Sequence, residues 1–438
     1  MKAIPMQLSR LSSAFNFSAQ DWAFPARCLQ WLTFLWLLVG LVVLYSASYP
    51  IGDADHGDGL YYFKRQLFWV CLGLVGYHIT VRFPLRYVLG LADWGLVICL
   101  GMILATFIPG MGATINGATR WLSLGPVPIQ PSELIKPFLV LQSARIFGQW
   151  FRLQWLTRLL WVGVFATILA AILLQPNLST TALCGITLWL IALAAGLPYQ
   201  YMVGTAIGGF LLATLSISLR EYQRRRVLSF LNPWADPMQD GYQLIQSLLA
   251  VGSGGPWGVG YGFSQQKLAF LPIADTDFIF AVFAEEFGFL GGALLIFLLL
   301  TYASFGVWVA LKTRRSIHRL VAIGAVILLV GQSFLNIAVA TGALPTTGLP
   351  LPLFSYGGSS MIASLLAAGL LVRVARESSE AEVVPLHDSF SDRQKRRSRL
   401  AAQRKSPSKL RYNRSRRMSA VDSESPHDRH PSDPVIPT

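Results

Sequence analysis

The stretch LPIADTDFIFAVFAEEFG, residues 271–288, sets Asp275 and Asp277 ahead of an apolar run that carries Glu285 and Glu286 further on. Carboxylates can give and take protons, which is acid–base chemistry. The plainer account is helix capping, with Asp275, Thr276 or Asp277 accepting the free N–H groups of a first helical turn. One cap uses one side chain and leaves the other carboxylates without a purpose. Ionisable groups at membrane depth are costly and mark candidate sites, so the cluster is read as functional.

Three further segments carry polar side chains between apolar ones. In NGATRWLSLGPVPIQPSELIK, residues 116–136, Arg120 beside Trp121 is either an interfacial anchor or a cation for an anionic ligand. Glu133 and Lys136 are spaced to share one helix face, where they either neutralise each other or serve a site. In GYQLIQSLLAVGSGGPWGVGYG, residues 241–262, the glycines permit tight turns and close approach, but no GKS or GKT follows as a phosphate-binding loop requires. Arg224, Arg225 and Arg226 could fork onto phosphate oxygens or lie on a solvated surface. The prolines and small residues of PTTGLPLPLFSYGGSS, residues 345–360, predict a re-entrant turn packed into protein. Its serines, Ser355, Ser359 and Ser360, have no histidine on the same face except His56, so a serine nucleophile is not expected.

The elements that position these segments are membrane helices. Of 438 residues, 53% are hydrophobic and 13% charged, against about 25% charged in soluble domains. Residues 29–48, 159–219, 287–311 and 320–372 contain no Asp, Glu, Lys or Arg, while one bilayer span needs about 20 such residues. An all-α polytopic fold follows, with spans near 29–48, 66–82, 87–108, 132–147, 157–174, 178–196, 199–218, 278–311, 320–343 and 358–375. The fourth is the least clearly marked, because Glu133, Lys136 and Arg145 interrupt it; the eighth is long enough to project beyond the bilayer. Lys and Arg of the short segments collect on the side of both termini, which places the termini in the cytoplasm and 109–131, 219–277 and 344–357 outside.

The chain then divides into a polar extension, 1–28, the membrane domain, 29–375, with a large outer loop at 219–277, and a tail, 376–438. Much of the net charge of +14 lies in the tail segment QKRRSRLAAQRKSPSKLRYNRSRR, which is too polar to fold and is suited to anionic lipid head groups rather than nucleic acid. The extension lacks a cleavable signal, and the 4 cysteines and 6 histidines show no metal or disulfide pattern.

The blocks GATRWLSLG…QPSELIK, QPNLSTTA, GYQLIQSLLAVGSGGPWGVG, LPIADTDFIFAVFAEEFG and PTTGLPLPLFSYGGSS, in this order, resemble those of the SEDS (shape, elongation, division and sporulation) family of ten-span peptidoglycan glycosyltransferases. The likeness covers about residues 30–375, and the QKLAFLP run at 266–272 looks more like the division-type than the elongation-type members. The resemblance implies a multi-pass protein of the bacterial plasma membrane, at the division septum, that polymerises lipid II with release of undecaprenyl diphosphate. It implies Asp277 as the catalytic base, and Arg120 and Lys136 as the favoured cations for the leaving diphosphate. Trp121, Glu133, Gln243, Asp275 and Glu286 would line or support the cavity. A cognate class B penicillin-binding protein and other division proteins are the implied partners. A divalent cation is possible, although no ligand spacing demands one. Asp275 stands where the family often has histidine, and Asn177 where it usually has aspartate; if the two segments meet, the local carboxylate count is kept. The rival functions are a lipid II flippase, which needs no base at Asp277, and a non-catalytic division scaffold.

Overall fold

The computed structural model describes residues 22–115, 118–124, 127–268 and 270–380. The extension up to residue 21 and the tail from 381 lie outside the described residues, so the readings of their order and lipid contacts have no structural counterpart here. Long helices make the body: α1 (Phe24–His56), α2 (Tyr61–Arg82), α3 (Leu85–Ala105), α4 (Pro131–Phe147), α5 (Trp155–Leu174), α6 (Leu178–Ala194) and α7 (Tyr199–Leu219). Two short helices follow in the large loop, α8 (Glu221–Leu231) and α9 (Tyr242–Ser253). The body closes with α10 (Ile279–Lys312), α11 (Ser316–Ala340) and α12 (Gly358–Glu380). Among the described residues, seven helices are long and apolar enough to cross a membrane, and this is a polytopic helical membrane protein.

Helix ends fall where backbone chemistry forces them. Pro84 and Pro198 lead into α3 and α7, since proline's fixed φ suits a helix start and its missing N–H would be unpaired there anyway. Gly57 closes α1 in the left-handed conformation with its N–H on the Asp53 carbonyl. Asn177 caps α6, accepting the Thr180 N–H at 3.3 Å.

Burial inverts what hydropathy suggests. The charge-interrupted span α4 is nearly all buried, including Glu133 and Lys136, whereas charge-free α7 buries Met202 alone. In α11 and α12, 67% and 83% of the apolar window is covered by protein; in α7 the share is 6%. A helix solvated by protein can hold paired charges; one solvated by lipid cannot.

Three features depart from the expected plan. Residues 112–129 form a small antiparallel sheet, with β1 (Gly112–Ile115), β2 (Ala118–Leu124) and β3 (Val127–Ile129) in the order β1-β2-β3. Trp121 faces Ala113 across it, and a bulge shifts the register between Ala113 and Thr114. The eighth span is not one straight rod: Gly288, at φ 65° and ψ −165°, breaks α10. α12 continues to Glu380, past the boundary read at 375.

The 344–357 segment is buried at Leu349, Leu351, Leu353 and Phe354, as a re-entrant turn packed into protein requires. It presses so closely on α1 that a Cβ at Gly40 would lie 2.1 Å from the Leu353 carbonyl oxygen.

Candidate functional site

Asp275 and Asp277 sit in the turn just before α10, and neither caps it: Phe278 is the N-cap residue, with no side-chain hydrogen bond. The capping account therefore fails for this pair. The turn is held instead by its backbone. Ser355 Oγ donates to the Thr276 carbonyl at 2.6 Å, the Tyr356 N–H to the Asp275 carbonyl at 2.9 Å, and Asn336 Nδ2 to the Asp277 carbonyl at 2.8 Å. Asn336 Nδ2 also reaches the Leu349 carbonyl at 2.8 Å, tying the turn to the 344–357 segment. Every bond goes to main chain, so the Asp277 carboxylate is positioned without any hydrogen bond to its own oxygens among the described residues.

Two cations act on it. Arg226 on α8 is the stronger and Arg120 on β2 the weaker. At Gly348, φ +74°, a built Cβ would stand 3.5 Å from Asp277 Oδ2 and 3.8 Å from Arg226 Nη1, so carboxylate and guanidinium flank one point of the loop. Arg226 is aimed by the Thr346 carbonyl at 3.1 Å and by the Tyr222 ring, 4.6 Å from its Cζ. Arg120 donates through Nε to the Gln175 carbonyl at 3.2 Å and through Nη2 to the Pro176 carbonyl at 2.5 Å. The α5–α6 turn thus aims Arg120. Asn177 is occupied in capping α6, and no hydrogen bond links it to Asp275.

Burial is the main force on the carboxylates. It pushes Asp277 from 3.8 up to about 6, against the pull of Arg226 and Arg120 and with a further push from Glu133. Burial likewise raises Asp275 to about 6; its own backbone N–H opposes this, and the charges of Asp277 and Asp55 add to it. Like-charge repulsion between the two aspartates is felt by Asp275 and ranks below burial. A carboxyl poised near neutrality is well matched to proton abstraction.

The other residues singled out in the sequence sort by partner. Lys136 is enclosed: its Nζ donates to Glu133 Oε1 at 2.7 Å and to Gln332 Oε1 at 3.0 Å. Of the two readings of this pair, mutual neutralisation describes the geometry; the cations that act on Asp277, whose carboxylate and Arg226 flank the recess beside Gly348, are arginines. Trp121 is partly buried in β2, and Gln243, in the first turn of α9, is partly buried with no hydrogen bond among the described residues. Glu286 turns away from the aspartates to a separate cluster: its Oε1 accepts from Lys267 Nζ at 2.7 Å and Ser46 Oγ at 2.6 Å. The four carboxylates of 271–288 therefore form two sites, not one. Among the described residues, no three or more His, Cys, Asp or Glu are grouped to hold a metal ion.

Sequence reasoning missed Gln332, Asn336 and Gln66. Gln332 Nε2 donates to the Pro350 carbonyl at 2.7 Å, and Gln66 brackets Ser355 and Gly357. A signal was there: Gln332 and Asn336 are polar at i and i+4 in the charge-free 320–372 stretch, so they share one face. A π-helical turn, Ile327–Gly331, immediately precedes them, a distortion common at functional sites.

The chain is similar to several known proteins. Probable peptidoglycan glycosyltransferase FtsW of Synechocystis sp. is 56% identical over 83% of this chain and 93% of its own length. Putative peptidoglycan glycosyltransferase FtsW of Mesostigma viride is 50% identical over 82% and 86%. Among solved structures, a peptidoglycan synthase complex, described by its coordination of polymerization and crosslinking, matches with TM-score 0.65 and 29% identity over 82% of this chain and 99% of that one. The rod shape determining protein RodA of Thermus thermophilus matches with TM-score 0.60 and 28% identity over 82% and 98%. Residues 26–380 match the sequence model of the cell cycle protein family of FtsW, RodA and SpoVE, and the chain belongs to that family.

Proposed function

We propose that this protein is a peptidoglycan glycosyltransferase that polymerises lipid II into β-1,4-linked glycan at the outer face of the plasma membrane, during septal wall synthesis. The 4-hydroxyl oxygen of the acceptor sugar attacks the anomeric carbon of the lipid-linked donor. Its proton passes to Asp277, the bond from that carbon to the diphosphate oxygen breaks, and undecaprenyl diphosphate leaves. Arg226 and Arg120 take the charge that develops on the diphosphate. Asp275, Trp121 and Gln243 line the approach, while the Glu133–Lys136 pair supports it from α4. The carboxylates of Asp275 and Asp277 are the protein oxygens a divalent cation would find, sharing it with diphosphate and water. The observation that carries the reading is the Asp277 carboxylate itself: it is raised toward neutrality, is held only through its main chain, and has two arginines acting on it.

In this reading the ten long helices each cross the membrane, both termini are cytoplasmic and the recess opens outward. The crosslinking step belongs to a partner, a class B penicillin-binding protein, in line with the synthase complex to which the chain is similar. The test is glycan synthesis from lipid II by the purified protein with its cognate partner, wild type against Asp277→Ala. Strands from the wild type and none from the folded variant support the enzyme and its base together. Equal synthesis by both removes Asp277 from catalysis. If neither makes glycan while the variant still moves lipid II across liposomes, the protein is a flippase.

A further inference from the structure

The second carboxylate site lies at the base of the loop that carries Asp277. The break at Gly288 leaves helix carbonyls without their usual partners. A strap of the outer loop supplies them: the Val259 and Gly260 N–H groups donate to the Glu285 and Glu286 carbonyls at 3.0 and 3.1 Å. In return, the Phe289 and Leu290 N–H groups donate to the Gly255 and Pro256 carbonyls at 2.8 and 3.1 Å. The approach requires glycine on both sides, since a Cβ at Gly258 would meet the Glu286 carbonyl oxygen at 2.1 Å and one at Gly288 the Gly258 nitrogen at 2.3 Å.

Side chains then fasten the strap. The Glu285 carboxylate accepts from the Ser264 hydroxyl and from the Gln265 and Gln266 N–H groups. Lys267, buried at 5% exposure, forms its ion pair with Glu286 and donates to Ser46 Oγ of α1 at 2.7 Å. Among the described residues, Glu286 Oε2 has no hydrogen-bond partner, so Lys267 and Ser46, both on Oε1, are what hold this carboxylate. From Lys267 the chain runs directly through Asp275 and Asp277 into α10, so the ion pair closes a loop whose far side is held by Asn336, Ser355 and Tyr356. A buried ion pair is often no more stable than an apolar pair of the same volume. What it adds is a fixed direction and distance.

We propose that Lys267 and Glu286, with Ser46, are positioning residues for glycosyl transfer: they clasp the base of the 267–279 loop and so fix Asp277 against Arg226 and Arg120 without touching substrate. This rests on the function proposed above. The decisive variant is Lys267→Met/Glu286→Gln, which keeps side-chain volume and removes both charges. It is expected to fold, to keep its KM for lipid II, and to lose about tenfold to a hundredfold in kcat, the effect of a small misplacement of a reacting group. The acid limb of its pH–rate profile should move below that of the wild type, because a loosened loop exposes Asp277. Hydrogen exchange across 270–277 should quicken, a readout that needs no activity and tests the clasp even if the wild type makes no glycan and the functional reading falls. Unchanged kcat, acid limb and exchange in the double variant overturn the proposal. If the double variant does not fold, Ser46→Ala decides: a smaller kcat loss with quicker exchange at 270–277 supports the clasp, and wild-type behaviour in both overturns it.

Discussion

Asp275 and Asp277 in the turn before α10, and Glu285 and Glu286 within its first segment ahead of the break at Gly288, are near neighbours in sequence with opposite surroundings. The glutamates are engaged: Lys267, Ser46, Ser264 and two backbone N–H groups converge on them, and of their four oxygens Glu286 Oε2 alone has no partner among the described residues. The Asp277 carboxylate receives no hydrogen bond among the described residues; its order comes from bonds to the main chain of the turn. A buried carboxylate already engaged by an ion pair or several donors is fixed but spent. One held through its backbone keeps its oxygens free for a substrate proton, at the cost of an unfavourable charge. The same contrast separates two cations: Lys136 is enclosed by Glu133 and Gln332, while Arg226 is aimed by Thr346 and Tyr222 toward the recess.

The contrast breaks most visibly at Asp277. Asp277→Ala should lower glycan synthesis by about 10³-fold, within the span of general-base effects, with the folded yield retained; a loss of less than tenfold would make the recess another structural site. Next come the cations. Arg226→Met should cost about a hundredfold in kcat with the melting temperature unchanged, whereas Lys136→Met should remove about 3–5 kcal/mol of stability by stranding Glu133. Calorimetry beside kinetics separates the two, and the reverse outcome would exchange their roles.

The pH dependence sharpens the comparison further. A base raised to about 6 loses function as pH falls through that value, so kcat/KM should decline about tenfold per unit below it. Stability moves the other way. The folded state holds the proton more tightly than the unfolded one, so the cost of the charged aspartate is full above about 6 and fades as pH falls toward 3.8. At neutral pH Asp277→Asn should therefore melt no lower than wild type. Its gain is at most roughly 3 kcal/mol, from two units at about 1.4 kcal/mol each, reduced by the partial exposure of the side chain. Lower melting at pH 7.5 would show that the charge stabilises the recess. The smallest effect is expected at Asn336→Leu, which strips the Asp277 and Leu349 carbonyls of their donor: about 1–3 kcal/mol of stability and a several-fold fall in kcat, readable by the same two methods.

By itself the sequence determined the helical membrane class, because charge-free runs such as 159–219 have no stable place except in lipid or beneath a protein shell. Breaks at Gln175–Asn177 and Gly196–Pro198 were legible because they are properties of the local backbone. The ordered motifs pointed to the family and to Asp277. Only the tertiary structure divided the four carboxylates, buried α4 rather than α7, and turned Arg226 rather than Lys136 toward the recess. The reason is physical. Hydropathy and spacing describe a residue against water or lipid, whereas the proton affinity and freedom of Asp277 depend on Asn336, Ser355 and Arg226, which lie far from it along the chain and meet it only when the helices pack.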